Sequence, residues 1–181
     1  MDRPLVVPEL PAGERFTLRP WRLDDVALVR EASEDAYIPL ITSLPANYTD
    51  EEGAAFIRRQ WSRATSGVGY SFAIADAGAG RAVGQIGLWL GPHGRASVGC
   101  WVVTSARGQG AAGAALRAVS SWGLQELRIP RLELHVEPWN APSRRTVERA
   151  GFVREGLLRS WQDVGGERRD MYVYSKLVDD L

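Results

Sequence analysis

The sequence predicts an α/β fold in which a mixed, mostly antiparallel sheet carries one parallel pair and has helices on both faces. Three observations predict it. Alternating apolar segments at 70–75, 83–90 and 95–103 are separated by short turns, Asp76 to Gly80 and Gly91 to Gly94, the chemistry of antiparallel hairpins. From Arg95 to Val136 the chain runs strand, long helix, strand, and a right-handed crossover of that kind sets 131–136 parallel to 95–103. Gly165-Gly166 then joins two closing strands, 153–162 and 168–177.

Each element has its own signal. Residues 1–13 are Pro-rich and read as an ordered arm or a loose tail. Phe16 to Pro20 alternates as a short strand, and Asp24-Asp25 are acids suited to the start of a helix running to about Ser33. Between Glu34 and Tyr48 the pattern is lost, and Pro39, Pro45, Tyr37 and Tyr48 suggest a shaped loop. Thr49-Asp50-Glu51-Glu52 is a capping box that opens a second helix with Ala54, Ile57, Trp61 and Ala64 inward, ending at Gly67. On the 83–90 strand Ile86, Leu88 and Leu90 share one face, and His93 reads as a solvated turn residue. Ala112, Leu116, Val119, Gly123 and Leu127 form the buried stripe of the long helix. Pro130 stops the chain before 131–136, and Asn140-Ala141-Pro142-Ser143 starts a helix closed by Gly151.

Composition bounds the function. A chain of 181 residues builds one domain with a full core, and we expect a single domain over 1–181. No apolar run approaches the roughly 20 residues of a membrane span, and Met1 to Pro11 lacks the apolar stretch of a signal peptide. One cysteine, Cys100, and two histidines, His93 and His135, exclude an internal disulfide and argue against a dedicated metal centre. These features predict a cytoplasmic, metal-free protein. The 22 basic and 22 acidic residues cancel, so the long-range attraction of a general nucleic-acid binder is missing.

The chain is organised around Arg107-Gly108-Gln109-Gly110-Ala111-Ala112, which leads from the central strand into the long helix. Such a turn aims unpaired N–H groups at one spot, at the positive end of a helix dipole, and Arg107 adds a charged fork. That makes either a diphosphate seat or a helix start whose glycines serve tight packing. The Gly-Lys-Ser/Thr ending of a phosphate loop and the full dinucleotide fingerprint are absent, which sets a nucleotide-binding protein aside.

That turn fits the Gln/Arg-x-x-Gly-x-Gly/Ala pyrophosphate signature of the GNAT superfamily of acyl-CoA-dependent N-acetyltransferases, which the chain resembles over nearly its whole length. Asn140-x-x-Ser143, Glu148 to Gly156 and the closing Asp170-x-x-x-Tyr174-Ser175-x-Leu177 are similar to the RimJ/RimL branch, which acetylates protein N-termini and small amines. The resemblance implies a GNAT fold whose parallel pair, 95–103 and 131–136, splays to admit acetyl-CoA. It implies main-chain pairing of the pantetheine near Trp101, Val102 and Val103, with one N–H there holding the oxyanion. It also implies a pyrophosphate on Gln109 to Ala112, with Arg107 and Gly108 beside it, and a bond from Asn140 to the pantetheine arm. The acceptor is a primary amine, on a peptide N-terminus or a small molecule, that attacks the thioester directly. The fold is compatible with a homodimer.

The chemistry needs a base for the protonated amine and a proton for the departing thiolate. Many relatives use a Tyr seven residues after the Asn, where this chain has Val147. The RimJ/RimL branch implies Ser143 instead, a residue that reads equally as a first-turn cap. The acid that relatives carry on the central strand is replaced by Ala96-Ser97. Glu137, His135 and a water relay remain as routes for deprotonation, and Cys100 reads as a buried thiol rather than a nucleophile. The acceptor pocket is expected between the 34–48 loop and the 161–169 hairpin, with Tyr37, Tyr48, Trp89 and Trp161 as aromatic walls or ordinary packing. Glu34-Asp35 reads as an attractor for the amine or a solvated helix end, and Arg144, Arg145 and Arg149 as a 3′-phosphate contact or a solvated face. A non-catalytic acyl-CoA-binding module, or an acyltransferase using a donor such as succinyl-CoA, is the alternative.

Overall fold

The computed structural model describes residues 4–181. Eight strands form one sheet: β1 (Leu10–Ala12), β2 (Phe16–Arg19), β3 (Gly69–Asp76), β4 (Ala82–Leu90), β5 (Arg95–Val102), β6 (Arg131–Val136), β7 (Val153–Val164) and β8 (Glu167–Lys176). Their order across the sheet is β1-β2-β3-β4-β5-β6-β8-β7, antiparallel throughout except for the β5–β6 pair. The helices are α1 (Val26–Ser33), α2 (Ile38–Ile41), α3 (Asp50–Thr65), α4 (Ala111–Gln125) and α5 (Ala141–Arg149). Part of the predicted N-terminal arm is thus the edge strand β1, and residues 1–3 of that arm lie outside the described residues. Pro8 and Pro11 hide the strand in the sequence, and an edge position is where a strand tolerates proline.

Strand alternation puts helices on both faces. Tyr70 pairs with Leu88 and Phe72 with Ile86, and both aromatic rings meet Trp122 of α4 edge-on, at 4.8 and 5.7 Å. Gly123 lets α4 close onto this face, because a Cβ there would lie 2.8 Å from Leu88 Cδ1. The opposite face carries a buried polar series instead. Trp101 Nε1 donates to Gln85 Oε1 (3.0 Å), Gln85 Nε2 donates to Ser71 Oγ (3.1 Å), and Ser71 Oγ donates to Gln60 Oε1 of α3 (3.0 Å). Each buried polar group there has its partner, so the series holds α3 in register at little net cost.

Two side chains depart from expectation. Trp61 is 39% exposed and donates Nε1 to Trp21 O (2.9 Å), while Gly53, Phe56, Ile57, Gln60 and Ala64 form the buried stripe of α3. Trp61 sits one position past that i, i+3, i+4, i+7 series. Leu90 is 41% exposed, at the end of β4 where the helical cover stops.

The β5–β6 pair is stapled at one end only. Arg95, Ala96 and Ser97 pair with Arg131, Leu132 and Glu133, and no further register follows. At that closed end Arg131 binds Glu133 (2.6 Å) and grips both carboxylate oxygens of Glu155 on β7. Arg95 reaches Glu133 at 3.5 Å. Beyond it the strands part, which is the splay the resemblance implied.

Candidate active site

The splay leaves one edge of β5 unpaired. Arg95 O accepts from Gly91 N (2.8 Å) and Val103 N donates to Val83 O (3.1 Å), so the odd-numbered residues of β5 turn their peptide groups toward β4. By alternation Cys100 and Val102 turn theirs toward the gap. This narrows the predicted set. Of Trp101, Val102 and Val103, only Val102 turns main chain to the gap, its N–H open and its C=O accepting from Arg107 Nε (3.0 Å). Trp101 contributes its buried indole to the polar series, and Val103's N–H is already bonded.

At the open end of β5 lies the Gly-rich turn. Gly108 (φ +75°) and Gly110 (φ +86°) are left-handed, and a Cβ on either would meet nothing within 4 Å, so the main chain is open to the outside. The first helical bond after the turn is Ala114 N to Gly110 O (3.0 Å), which leaves the N–H groups of Ala111 and Ala112 ahead of the helical ladder. Gln109 spans the turn, its Nε2 donating to Ser105 O (3.4 Å) and its Oε1 accepting from Arg15. Arg107, the charged fork of the turn, is held by two partners. Its Nε donates to Val102 O (3.0 Å) and its Nη2 to Asp35 Oδ2 (2.7 Å). Burial works against the charge of Asp35, but the N–H groups of Ile38 and Tyr37 and the Arg107 guanidinium outweigh it and hold this carboxyl below its ordinary range. Asp35 is therefore committed within the protein, paired with Arg107.

Across the gap stands Glu137, 3% exposed, just past the end of β6. Leu132, Leu134 and Val136 are buried, while Glu133, His135 and Glu137 take the alternate positions and share the other face. Glu137 Oε2 accepts from Tyr37 Oη at 2.6 Å, and Arg169 Nε lies 3.9 Å from Oε1. Burial and the adjacent carboxylate push the Tyr37 phenol above its ordinary range, so it stays a hydrogen-bond donor. The Asn140 amide faces the same hydroxyl, and Trp139 meets the Tyr37 ring edge-on at 5.2 Å. His135 stacks on Trp161 at 5.6 Å, and burial lowers its pKa, so the ring is neutral at pH 7. Glu137, Pro138, Trp139, Arg168, Arg169 and Asp170 line an open depression here.

Asn140 is the N-cap of α5, its Oδ1 accepting from Ser143 N (3.2 Å). Ser143 is thus the capped residue, not the cap, and its half-buried hydroxyl has no hydrogen-bond partner among the described residues. One turn on, Thr146 Cγ2 would lie 3.8 Å from a Cβ on Gly113 in the first turn of α4, so the Ser143–Thr146 stripe runs toward the Gly-rich turn. Val147 is buried in the core. Arg144 donates to Pro138 O (3.0 Å) and lies over the Tyr172 ring (5.3 Å), which commits it to the fold, whereas Arg145 and Arg149 are exposed.

The structure therefore gathers Val102, Arg107 to Ala112, Glu137, Asn140 and Ser143 around one gap, with Tyr37 bonded to Glu137 and Trp161 stacked on His135 beside them. Two predicted walls fall elsewhere. Tyr48 packs on Gly53 and bonds Asp50 (3.1 Å), and Trp89 pairs with Ser97 at the closed end, under Arg63. Cys100 is half-buried and burial pushes its thiol up to about 12, consistent with an inert side chain. Reading by residue type alone missed Asp35 as a link, Trp139 and Arg169. Asp35 had a usable signal, since an Asp ahead of Ile38-Pro39 is a helix start.

Comparison with known proteins agrees with this geometry. The model of the GNAT acetyltransferase domain matches residues 15–153. An uncharacterised N-acetyltransferase, p20 of Bacillus licheniformis, is 26% identical over 166 residues, 91% of this chain and 93% of its own. The structure of Mycobacterium smegmatis RimJ in complex with CoA-disulfide superposes with a TM-score of 0.82 at 28% identity, over 100% of this chain and 92% of that one. RimL, a ribosomal L7/L12 alpha-N-protein acetyltransferase solved with coenzyme A, shares the fold at a TM-score of 0.79 and 18% identity, over 96% of this chain and 100% of its own. By its sequence match, and with its sheet splayed between the Gly-rich turn and Glu137, the chain belongs to the GNAT acetyltransferase family.

Proposed function

We propose that the protein, acting as one domain over residues 1–181, transfers the acetyl group of acetyl-CoA to a primary amine, with a protein or peptide N-terminal α-amine as the favoured acceptor. The observation that carries this reading is the gap itself. The β5–β6 pairing stops after Ser97 and Glu133, and toward the C-terminal ends of the two strands the gap has Cys100 and Val102 main chain and the Gly-rich turn on one side and Glu137 on the other. RimJ, the relative solved with a CoA-disulfide, spans this whole chain, and RimL acts on an α-amine.

Acetyl-CoA supplies an acetyl group activated as a thioester. The N–H groups of Gly108 to Ala112, at the positive end of α4, hold its pyrophosphate. Val102 N–H, turned into the gap, polarises the thioester carbonyl. The acceptor arrives on the face of Tyr37, Trp139 and Trp161, where Glu137 takes a proton from the ammonium group, directly or through a water. Tyr37 fixes the carboxylate for that task. The amine nitrogen forms the new C–N bond as the C–S bond breaks, and the Ser143 hydroxyl supports the departing sulfur with a hydrogen bond while a proton returns to it. Loss of Ser143's hydroxyl is expected to lower the rate by roughly 100-fold, the low end of the range for one proton-handling group.

The test is release of free thiol from acetyl-CoA, read with a chromogenic reagent across N-terminal peptides and small amines, with Ser143→Ala beside the parent. Amine-dependent release that falls in Ser143→Ala supports the reading. Acetyl-CoA binding without release for any amine, and release only with another acyl-CoA or none, contradicts it in favour of another donor or a binding module.

A further inference from the structure

We propose that Asp35 is a positioning residue that ties the cofactor turn to the Tyr37–Glu137 pair, so that the state of Arg107 is felt at the acceptor side of the gap; the inference rests on the acetyl-transfer reading above. The tie is an unbroken series of hydrogen bonds. Arg107 Nε holds Val102 O (3.0 Å) and its Nη2 holds Asp35 Oδ2 (2.7 Å). Asp35 Oδ1 accepts from Tyr37 N (2.8 Å) and Ile38 N (3.0 Å), and Tyr37 Oη donates to Glu137 (2.6 Å). Thr104 Oγ1 adds a bond to Asp35 Oδ2 (3.2 Å), and Ser105 N one to Glu31 (3.1 Å), from the residues just before the turn.

Each link has a reason to matter. A helix of four residues, as α2 is, does not hold itself, so the place of Tyr37 ahead of it depends on the two main-chain bonds that Asp35 Oδ1 accepts. The Asp35 side chain is 9% exposed, so it is committed to this one geometry, while Arg107 is half exposed and reachable. A guanidinium has five N–H donors, of which the described residues take one on Nε and one on Nη2. An anion at the turn and the Asp35 carboxylate therefore share one planar fork, and the fork's allegiance reaches Tyr37 through the bond from its N–H to Asp35 Oδ1. Asp35→Asn separates the two roles. Its Oδ1 still accepts from the N–H groups of Tyr37 and Ile38, but its amide cannot accept from Arg107.

Two readouts test the link. The first is amide hydrogen exchange of 36–41 in the parent, Arg107→Met, Asp35→Asn and the double variant. Arg107→Met is expected to speed exchange there about tenfold, the loss of one charged hydrogen bond, and to add nothing once Asp35 is Asn. The second is thiol release at saturating acetyl-CoA. Tyr37→Phe and Asp35→Asn should each lower kcat, and the double variant should fall by less than the product of the two costs, because Asp35 acts through Tyr37. Exchange at 36–41 that ignores Arg107→Met, or Tyr37→Phe and Asp35→Asn costs that simply multiply, overturns the proposal. If Asp35→Asn fails to fold, Arg107→Met alone still decides the exchange result. A parent without turnover would strike the acetyl-transfer reading and leave the exchange test standing.

Discussion

Replacing Gly110 with Asp puts a charge into the turn, and Gly110→Asn, of the same shape, is its control. A Cβ at this position meets no atom within 4 Å, so neither side chain is excluded sterically. The left-handed conformation at φ +86° costs a non-glycine residue about 1 kcal/mol, less for Asn and Asp than for others. For Asp, part of that is returned by a carboxylate at the N-terminus of α4, worth about 0.3–1 kcal/mol. Stability should therefore change by no more than about 1 kcal/mol in either variant. Binding should change far more. A carboxylate roughly 6 Å from each charge of a pyrophosphate is opposed by about 0.7 kcal/mol per charge in water and about 2.8 at an effective dielectric of 20. For an exposed turn we take about 2–3 kcal/mol in all, a loss of roughly 30- to 150-fold in acetyl-CoA affinity for Asp relative to Asn. Calorimetric titration at low salt reads it, and the gap between the variants should narrow as salt rises. Equal affinities for acetyl-CoA in the two folded variants would refute the placement of the pyrophosphate on this turn.

Three further expectations follow from the core and its ionisable groups. Gln85→Leu leaves the Trp101 indole N–H without its acceptor in the interior and should cost about 1–3 kcal/mol, read by urea denaturation. Burial pushes the Cys100 thiol up to about 12, so at pH 8 the native protein should react with a thiol reagent much more slowly than the unfolded chain does. Burial lowers the His135 pKa against a smaller opposing pull from Glu133, so the unfolded chain binds the proton more readily. Its contribution to stability is complete above the unfolded pKa of about 6.5 and falls as pH drops below it, by at most about 1.4 kcal/mol per unit; His135→Gln should remove that slope.

The fold was readable because its elements announce themselves locally. Turn residues separate β3, β4 and β5, and the strand–helix–strand run from Arg95 to Val136 demands a parallel pair. What escaped depends on partners distant in sequence. Trp61 reads as core by spacing, yet Phe56 and Gln60 take the inward positions because Trp21 and Ser71 meet them there. Arg107 reads as the charged fork of the turn, and only the folded chain brings Asp35, 72 residues away, against it. Glu137 could be named as a candidate, but the hydroxyl that bonds it belongs to Tyr37, 100 residues earlier. The narrowing of Trp101, Val102 and Val103 to Val102 likewise needs the pairing of β5 with β4, which no spacing encodes.

Intact mass of enzyme and acceptor during a single turnover tests direct transfer most plainly. The protein, loaded with isotopically labelled acetyl-CoA, is mixed with N-terminal peptides and small amines and quenched through time. The account predicts that an acceptor gains one labelled acetyl group on its amine while the protein's own mass never changes. A labelled acetyl group on the protein itself, at Cys100 or elsewhere, ahead of the acceptor would contradict it, as would labelled acetate released with every amine left unmodified.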